Sequence, residues 1–179
     1  ANPKLYNKLK EELSGTNIAV AAGPTGLIEA AAFPSERVIA AIVGAAGLAP
    51  TLEAVRRGAT VGLANKECLV SAGTIFTNEV EKYGATLLPV DSEHSAIFQV
   101  FEFDQAEKVA KIILTASGGP FRKHSKRAMA DVTPKEAIAH PNWSMGAKIS
   151  IDSATMMNKG LELIEAYHLF PVAEAQIEI

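Results

Sequence analysis

The sequence has a single cysteine, Cys68, among 179 residues, so the chain can form no internal disulfide bond. Cysteine scarcity of this kind is typical of proteins that work in a reducing compartment such as the cytosol. Long hydrophobic runs are also absent: the longest, at 38–49, has about 12 residues, against the roughly 18 that a membrane-spanning helix needs. The first residues are polar and charged and lack the pattern of a secretory signal. We therefore expect no membrane partner.

Excess charge of one sign is lacking as well. The chain has 17 Lys and Arg against 20 Asp and Glu, a net charge of −3 with both signs interspersed. No basic stripe suggests nucleic acid as a partner. Hydrophobic residues make up 48% and charged residues 21%, which is ordinary for a globular protein. A chain of this length is expected to form one large domain or two small ones.

Strand patterns and helical patterns alternate along most of the chain, from residue 5 to residue 116. Strands are predicted at 17–22, 38–43, 60–64, 86–90 and 109–116, and helices at 5–13, 24–32, 48–57, 73–83, 92–103 and 154–168. This alternation predicts βαβ units with a parallel sheet, and hence the α/β class. A change of domain near Val90 is consistent with the pattern, although composition does not mark it.

Polar groups and glycines follow four of these strands. Ligands of open α/β sheets bind beyond the carboxyl ends of the strands, and there the sequence has 44–47 (GAAG), 65–67 (NKE), 91–93 (DSE) and 117–119 (SGG). Asp91 and Glu93 are two apart, which in extended chain turns both carboxylates to one side and suits a hard cation. The alternative, which spacing alone favours, is that Asp91 or Ser92 caps a helix with Glu93 in its first turn.

Two later segments leave similar alternatives open. On the predicted last helix, Asn158, Glu162 and Glu165 share one face, which is either a solvated surface or part of a site. The loop at 140–146 (HPNWSMG) has the only tryptophan and is either a lid over a ligand or a segment fixed to the core.

Five strings in the same order resemble one family. They are VGAAGLAPT at 43–51, LANKE at 63–67, LLPVDSEHSAIFQ at 87–99, TASGGPFR at 115–122 and HPNWSMGAKISIDSATMMNKGLELIEA at 140–166. They resemble the 1-deoxy-D-xylulose 5-phosphate reductoisomerases of the non-mevalonate isoprenoid route. The spacing alone does not favour a functional site over a helix cap, a solvated helix face or a loop fixed to the core. The resemblance does.

The resemblance implies a Rossmann-like parallel sheet followed by an α+β catalytic domain. Residues 1–90 would be the C-terminal part of an NADPH-binding domain, and 91–179 an incomplete domain that binds metal and substrate. The metal ligands, for Mg²⁺ or Mn²⁺, would be Asp91, Glu93 and Glu162. The groups next to the phosphorylated sugar would be Lys66, Ser92, Glu93, Ser117, His140, Ser153, Asn158, Lys159 and Glu162. Of these, Lys66, Glu93 and His140 would be catalytic.

The remaining implications concern the cofactor, the flap and the assembly. Asn65, Glu67 and Gly146 would contact NADPH, and Trp143 and Met145 would belong to a mobile flap. The family is homodimeric and is found in bacterial cytoplasm, which we favour for this chain, or in plastids. Its glycine-rich dinucleotide fingerprint, of the type GxTGSIG, is not found here, and we expect the chain to be a piece of a longer protein. The alternatives are a metal-dependent sugar-phosphate isomerase or aldolase without nicotinamide, and a non-catalytic binding module.

Overall fold

The computed structural model describes residues 2–139 and 146–179. In the first part of the chain, β1 (Arg37–Ala40), β2 (Thr60–Leu63) and β3 (Thr86–Pro89) form a parallel sheet in the order β1-β2-β3. Val61 of β2 lies opposite Val38 on one side and Leu87 on the other. The α/β class with a parallel sheet is confirmed.

The central strand of this sheet is closely covered. Val61 and Leu63 are buried. A Cβ atom at Gly62 would lie 2.8 Å from Ile39 Cδ1 and 3.3 Å from Val90 Cγ2, so the end of the Ile39 side chain would have to move to admit it. This packing follows from a strand with apolar residues pointing to both faces.

Four α-helices accompany the sheet. They are α1 (Tyr6–Glu12), α2 (Gly23–Ala32), α3 (Leu48–Arg56) and α4 (Glu67–Tyr83), with 3₁₀ turns at Pro3–Leu5 and Ala45–Gly47. Val55, Leu69 and Phe76 from α3 and α4 are fully buried and form the centre of this core. The helix predicted at 73–83 begins earlier, at Glu67, and continues past a non-helical residue, Ala72.

The second part of the chain is mainly helical. Its helices are α5 (Ser92–Val100), α6 (Lys126–Met129), α7 (Pro134–Ile138), α8 (Ala147–Ala154) and α9 (Met157–Leu169), with 3₁₀ turns at Phe103–Lys108 and Glu174–Gln176. Two short parallel strands, β4 (Ile112–Ile113) and β5 (Ile177–Glu178), pair with each other. Leu114, Ala166 and Phe170 are buried with Ile112 and Ile177 in a second core.

The described chain divides into two compact units, Ala1–Val90 and Asp91–Ile179. The functions that the resemblance implies for the two parts stay predictions. Among the described residues, we find no helix that is both long enough and apolar enough to cross a membrane.

Three predicted elements were wrong in detail. Residues 17–22 form no strand, because a β-rich run needs a partner strand, and Ile18 is 61% exposed. The strand at 109–116 shrinks to Ile112–Ile113. The last helix begins at Met157 and not at 154, because Met156 adopts a left-handed φ of 61° that separates α8 from α9.

Candidate functional site

The N-terminus of α5 presents the first carboxylates of the site. Asp91 occupies the N-cap position, yet its side chain makes no capping hydrogen bond to the helix. Glu93 follows in the first turn, where the helix dipole favours a negative charge. The positions of Asp91 and Glu93 therefore agree with the capping alternative, but the side-chain hydrogen bond of a cap is not formed.

The face of α9 that the sequence left ambiguous is buried. Lys159, Glu162 and Glu165 are only 4%, 1% and 2% exposed, so the solvated-surface alternative is wrong. Ionisable groups are almost never buried to this degree unless they are paired or bind an ion. The three buried groups on this face therefore require charged or polar partners, or an ion.

Three carboxylates from α5 and α9 converge. Asp91, Glu93 and Glu162 each offer an oxygen atom within 4.8 Å of the other two. Hard divalent cations such as Mg²⁺ and Mn²⁺ are bound by carboxylate oxygens of this kind. The donor set and its spacing therefore fit the metal ion that the resemblance implies.

A buried ammonium group lies between two of these carboxylates. Lys159 Nζ donates a hydrogen bond of 3.0 Å to Glu93 Oε1 and a second, short one to Glu162 Oε2. Asn158 Nδ2 donates to the other oxygen of the Glu162 carboxylate. Glu162 is thus held by two neighbours on its own helix, and Lys159 links α9 to α5.

The environment of Glu93 favours its ionised form. Burial alone raises the pKa of Glu93, but hydrogen bonds from Ser92 and Lys159, together with the positive charge of Lys159, outweigh it and lower the pKa from 4.5 to about 2. Ser92 Oγ donates to Glu93 Oε2 over 2.5 Å. A carboxylate that stays ionised down to low pH is suited to binding a cation.

The loop after β4 lies against the end of α8. Gly118 and Gly119 have φ of 77° and 67°, and the Gly119 amide donates to Ser117 Oγ. A Cβ atom at Gly119 would lie 2.5 Å from the Ser153 carbonyl oxygen, so only glycine permits this approach. The fold therefore brings the segments of Ser117 and Ser153 together, as a shared phosphate site requires.

The other unit presents Asn65, Lys66 and Glu67 between β2 and α4. Asn65 is 3% exposed, and its amide donates to the carbonyls of Ile42 and Gly44 while its oxygen accepts from the Cys68 amide. Asn65 therefore fixes the loop that follows β1 to the start of α4. Lys66 is the N-cap residue of α4, and Glu67 is its first residue.

The structure describes fewer contacts for the other predicted site residues. Gly146 is the exposed N-cap residue of α8. His140, Trp143 and Met145 lie outside the described residues.

Sequence reasoning missed His94, which is fully buried beside Glu162 and Glu165. Its position directly after Glu93 and one turn after Asp91 was the available signal, but a lone histidine in a helical pattern does not reveal its burial.

Two family models match the chain. Residues 1–73 match 1-deoxy-D-xylulose 5-phosphate reductoisomerase, and residues 87–170 match the C-terminal domain of the same enzyme. Proteins of that name from Rhodospirillum centenum and Rhizobium rhizogenes are 64% and 65% identical, over 97% and 100% of this chain. The chain spans 43% and 45% of those two proteins, less than half of their length.

Solved structures agree with the sequence relatives. The reductoisomerase from Zymomonas mobilis in complex with NADPH is 56% identical, with a TM-score of 0.93 over all of this chain and 46% of its own length. A DOX-P reductoisomerase in complex with NADPH, fosmidomycin and magnesium is 48% identical, with a TM-score of 0.89 over 99% of this chain and 47% of its own. The homodimeric assembly and the cytoplasmic location that the resemblance implies remain predictions. The chain belongs to the 1-deoxy-D-xylulose 5-phosphate reductoisomerase family.

Proposed function

We propose that the protein catalyses the NADPH-dependent reductive isomerisation of 1-deoxy-D-xylulose 5-phosphate to 2-C-methyl-D-erythritol 4-phosphate, a step of non-mevalonate isoprenoid biosynthesis. The observation that carries this proposal is the convergence of Asp91, Glu93 and Glu162 in a chain of this family. The names of the relatives and the NADPH, fosmidomycin and magnesium complexes of the structural neighbours support it.

In this proposal the three carboxylates hold Mg²⁺ or Mn²⁺, with Glu93 ionised across the working pH range. The bound cation supplies Lewis acidity that polarises the ketone of the sugar, and bound NADPH supplies the hydride for the reduction. Ser92 orients Glu93 through its short hydrogen bond. The role of these side chains is to fix the reacting end of the substrate.

The phosphate is assigned to Ser117, Ser153, Asn158 and Lys159. The close approach of Gly119 to Ser153 supports this assignment for Ser117 and Ser153. Asn158 and Lys159 donate to Glu162 in this structure and would have to exchange that partner for the phosphate. Binding energy from this remote group helps to orient the sugar. Support for a phosphorylated substrate also comes from the neighbours that bind fosmidomycin, a substrate analogue.

Residues of the first unit are assigned to NADPH and to proton transfer. Asn65 and Glu67, together with Gly146 of the second unit, are proposed to contact NADPH, and Lys66 to move a proton or stabilise negative charge. His140 is proposed to contact substrate, and Trp143 and Met145 to cover it. The position of Lys66 at the carboxyl end of β2 supports its assignment.

The test uses the intact gene product, stripped of metal. NADPH oxidation is expected only when both the sugar phosphate and a divalent cation are added. Glu93→Gln is expected to lower kcat/KM at least about 100-fold, since even outer partners of metal ligands are worth about 10–100-fold. Glu107→Gln, an exposed glutamate of the same unit, is the matched control and should leave turnover unchanged.

Two results would contradict the proposal. Undiminished turnover in Glu93→Gln would remove the metal site from the mechanism. Conversion of the sugar phosphate without NADPH would favour an isomerase or aldolase that uses no nicotinamide.

A further inference from the structure

His94 lies at the junction of the two helices that bear the metal-ligand candidates. It is fully buried in α5, one turn after Asp91 and one residue after Glu93. Its Nε2 lies 2.9 Å from the backbone carbonyl oxygen of Glu162 in α9. A carbonyl only accepts hydrogen bonds, so Nε2 is the donor and carries a proton. One imidazole thus connects the helix of Asp91 and Glu93 to the third ligand residue itself.

Two other side chains lie close to the ring. Nδ1 lies 3.5 Å from Glu165 Oε2, one turn further along α9. The ring also stacks on Phe170 with a centroid separation of 6.5 Å and an interplanar angle of 27°. Phe170 belongs to the core of the second unit. The Nε2 bond and the stacking on Phe170 therefore orient the imidazole, and the Nε2 bond links α5 to α9.

We propose that His94 is a positioning residue that holds Glu162 in register with Asp91 and Glu93 through the Glu162 backbone, an inference that rests on the proposed function. The group does not need to touch substrate or metal to act. A carboxylate ligand is useful only if its oxygen stays within coordination distance of the other two, and a helix shift of under 1 Å is enough to lose it. Outer partners of metal ligands typically change metal affinity about 10–100-fold.

The same residues permit a different assignment, which the test must separate. Asp91, His94 and Glu165 also offer three atoms within 4.8 Å of one another. A second cation bound there would make His94 a ligand. We favour positioning because the Nε2 bond reaches the backbone of Glu162, which is itself one of the three carboxylates of the proposed metal site.

The experiment compares two amide substitutions that each keep one half of the imidazole. The glutamine in His94→Gln places its amide near the Nε2 position and keeps the donor to the Glu162 carbonyl, whereas the asparagine in His94→Asn keeps only the Nδ1 side. Mn²⁺ affinity and stoichiometry are measured on the intact gene product by calorimetry and electron paramagnetic resonance. Thermal unfolding is followed on the same samples without metal, so that stability and metal affinity are read separately.

Positioning predicts that His94→Asn weakens Mn²⁺ binding about tenfold or more, whereas His94→Gln stays within about threefold of wild type because the donor is kept. Equal Mn²⁺ affinity in wild type and both variants would overturn the inference, even if both variants unfold at a lower temperature than wild type. Two bound Mn²⁺ in wild type and one in both variants would also overturn it and assign a cation to Asp91, His94 and Glu165.

Glu93→Gln serves as the reference for the proposed function. If it weakens Mn²⁺ binding while the two His94 variants behave alike, only the positioning role fails. If Glu93→Gln leaves Mn²⁺ binding unchanged, the metal site and the positioning role fail together.

Discussion

At the scale of single residues, Lys159 decides the electrostatics of the site. Its ammonium lies between Glu93 and Glu162 at 5% side-chain exposure and balances part of their charge. Because the pKa of Glu93 is about 2 in the fold against an ordinary 4.5, this carboxylate stabilises the folded chain above about pH 4.5. That contribution is lost as the pH falls toward 2.

We predict that Lys159→Met tightens Mn²⁺ binding to the substrate-free protein by about tenfold, because nearby like charges oppose each other by some kcal/mol at short range. The cation then no longer competes with an ammonium for Glu93 and Glu162. Without metal, the variant should unfold at a lower temperature than wild type, because the substitution removes the charge that balances the buried carboxylates. Addition of Mn²⁺ should restore the unfolding temperature. Calorimetry and thermal unfolding measure both effects.

Lys111→Met is the matched control for this prediction. Lys111 pairs with Glu178 on the surface of the same unit, so the change removes the same charge outside the site. Mn²⁺ binding in Lys159→Met that is equal to or weaker than in the control would show that Lys159 does not occupy the metal position.

At the scale of elements, the site depends on how the 117–119 loop meets α8 and α9. The two helices are separated by Met156 in the left-handed region, a conformation that costs a non-glycine residue about 1 kcal/mol or more. This turn lets α8 end against the loop while α9 presents Asn158 and Lys159.

We predict that Gly119→Ala lowers the free energy of unfolding by about 3 kcal/mol, from a left-handed φ penalty of about 1 kcal/mol and overpacking of about 2 kcal/mol. It should also weaken binding of inorganic phosphate, because the loop must move away from Ser153. Denaturant unfolding and a phosphate titration measure the two effects.

Gly84→Ala isolates the backbone part of this effect. Gly84 has a φ of 61°, and a Cβ atom there would meet nothing within 4 Å. This variant should lose about 1 kcal/mol and bind phosphate normally. If both variants lost the same free energy of unfolding, the contact of Gly119 with Ser153 would not contribute to stability.

At the scale of the whole molecule, two units with separate cores carry different parts of the proposed chemistry. The first has the parallel sheet with Asn65, Lys66 and Glu67 at a strand end, and the second has the carboxylates and the phosphate loop. The relatives are more than twice as long as the part that this chain covers. The three metal-ligand candidates all lie in the second unit, so Mn²⁺ should act on that unit.

We predict that each ligand slows amide hydrogen exchange in its own unit of the intact gene product. Mn²⁺ should protect α5 and α9, and NADPH should protect β2 and the start of α4, because a ligand stabilises only the structure that binds it. Exchange followed by mass spectrometry resolves these segments.

In Glu93→Gln the Mn²⁺ protection should disappear while the NADPH protection remains. Protection of both units by Mn²⁺ alone would contradict the assignment of all three metal ligands to the second unit.

The sequence by itself determined the class of the fold, and it predicted the site residues. Alternating strand and helix patterns were enough for the parallel sheet, because periodicity reflects local burial. The resemblance of five strings to one family named Asp91, Glu93 and Glu162 together, although spacing alone favoured a cap and a solvated helix face.

Only the tertiary structure decided which polar groups are buried and what they contact. Lys159, Glu162 and Glu165 look like surface residues in a helical pattern, and their burial arises from packing of α9 against segments more than 60 positions away in sequence, such as α5. The link from His94 to the Glu162 backbone has no sequence signature, because any residue can present a carbonyl. Such contacts depend on the relative placement of two helices, which local sequence does not encode.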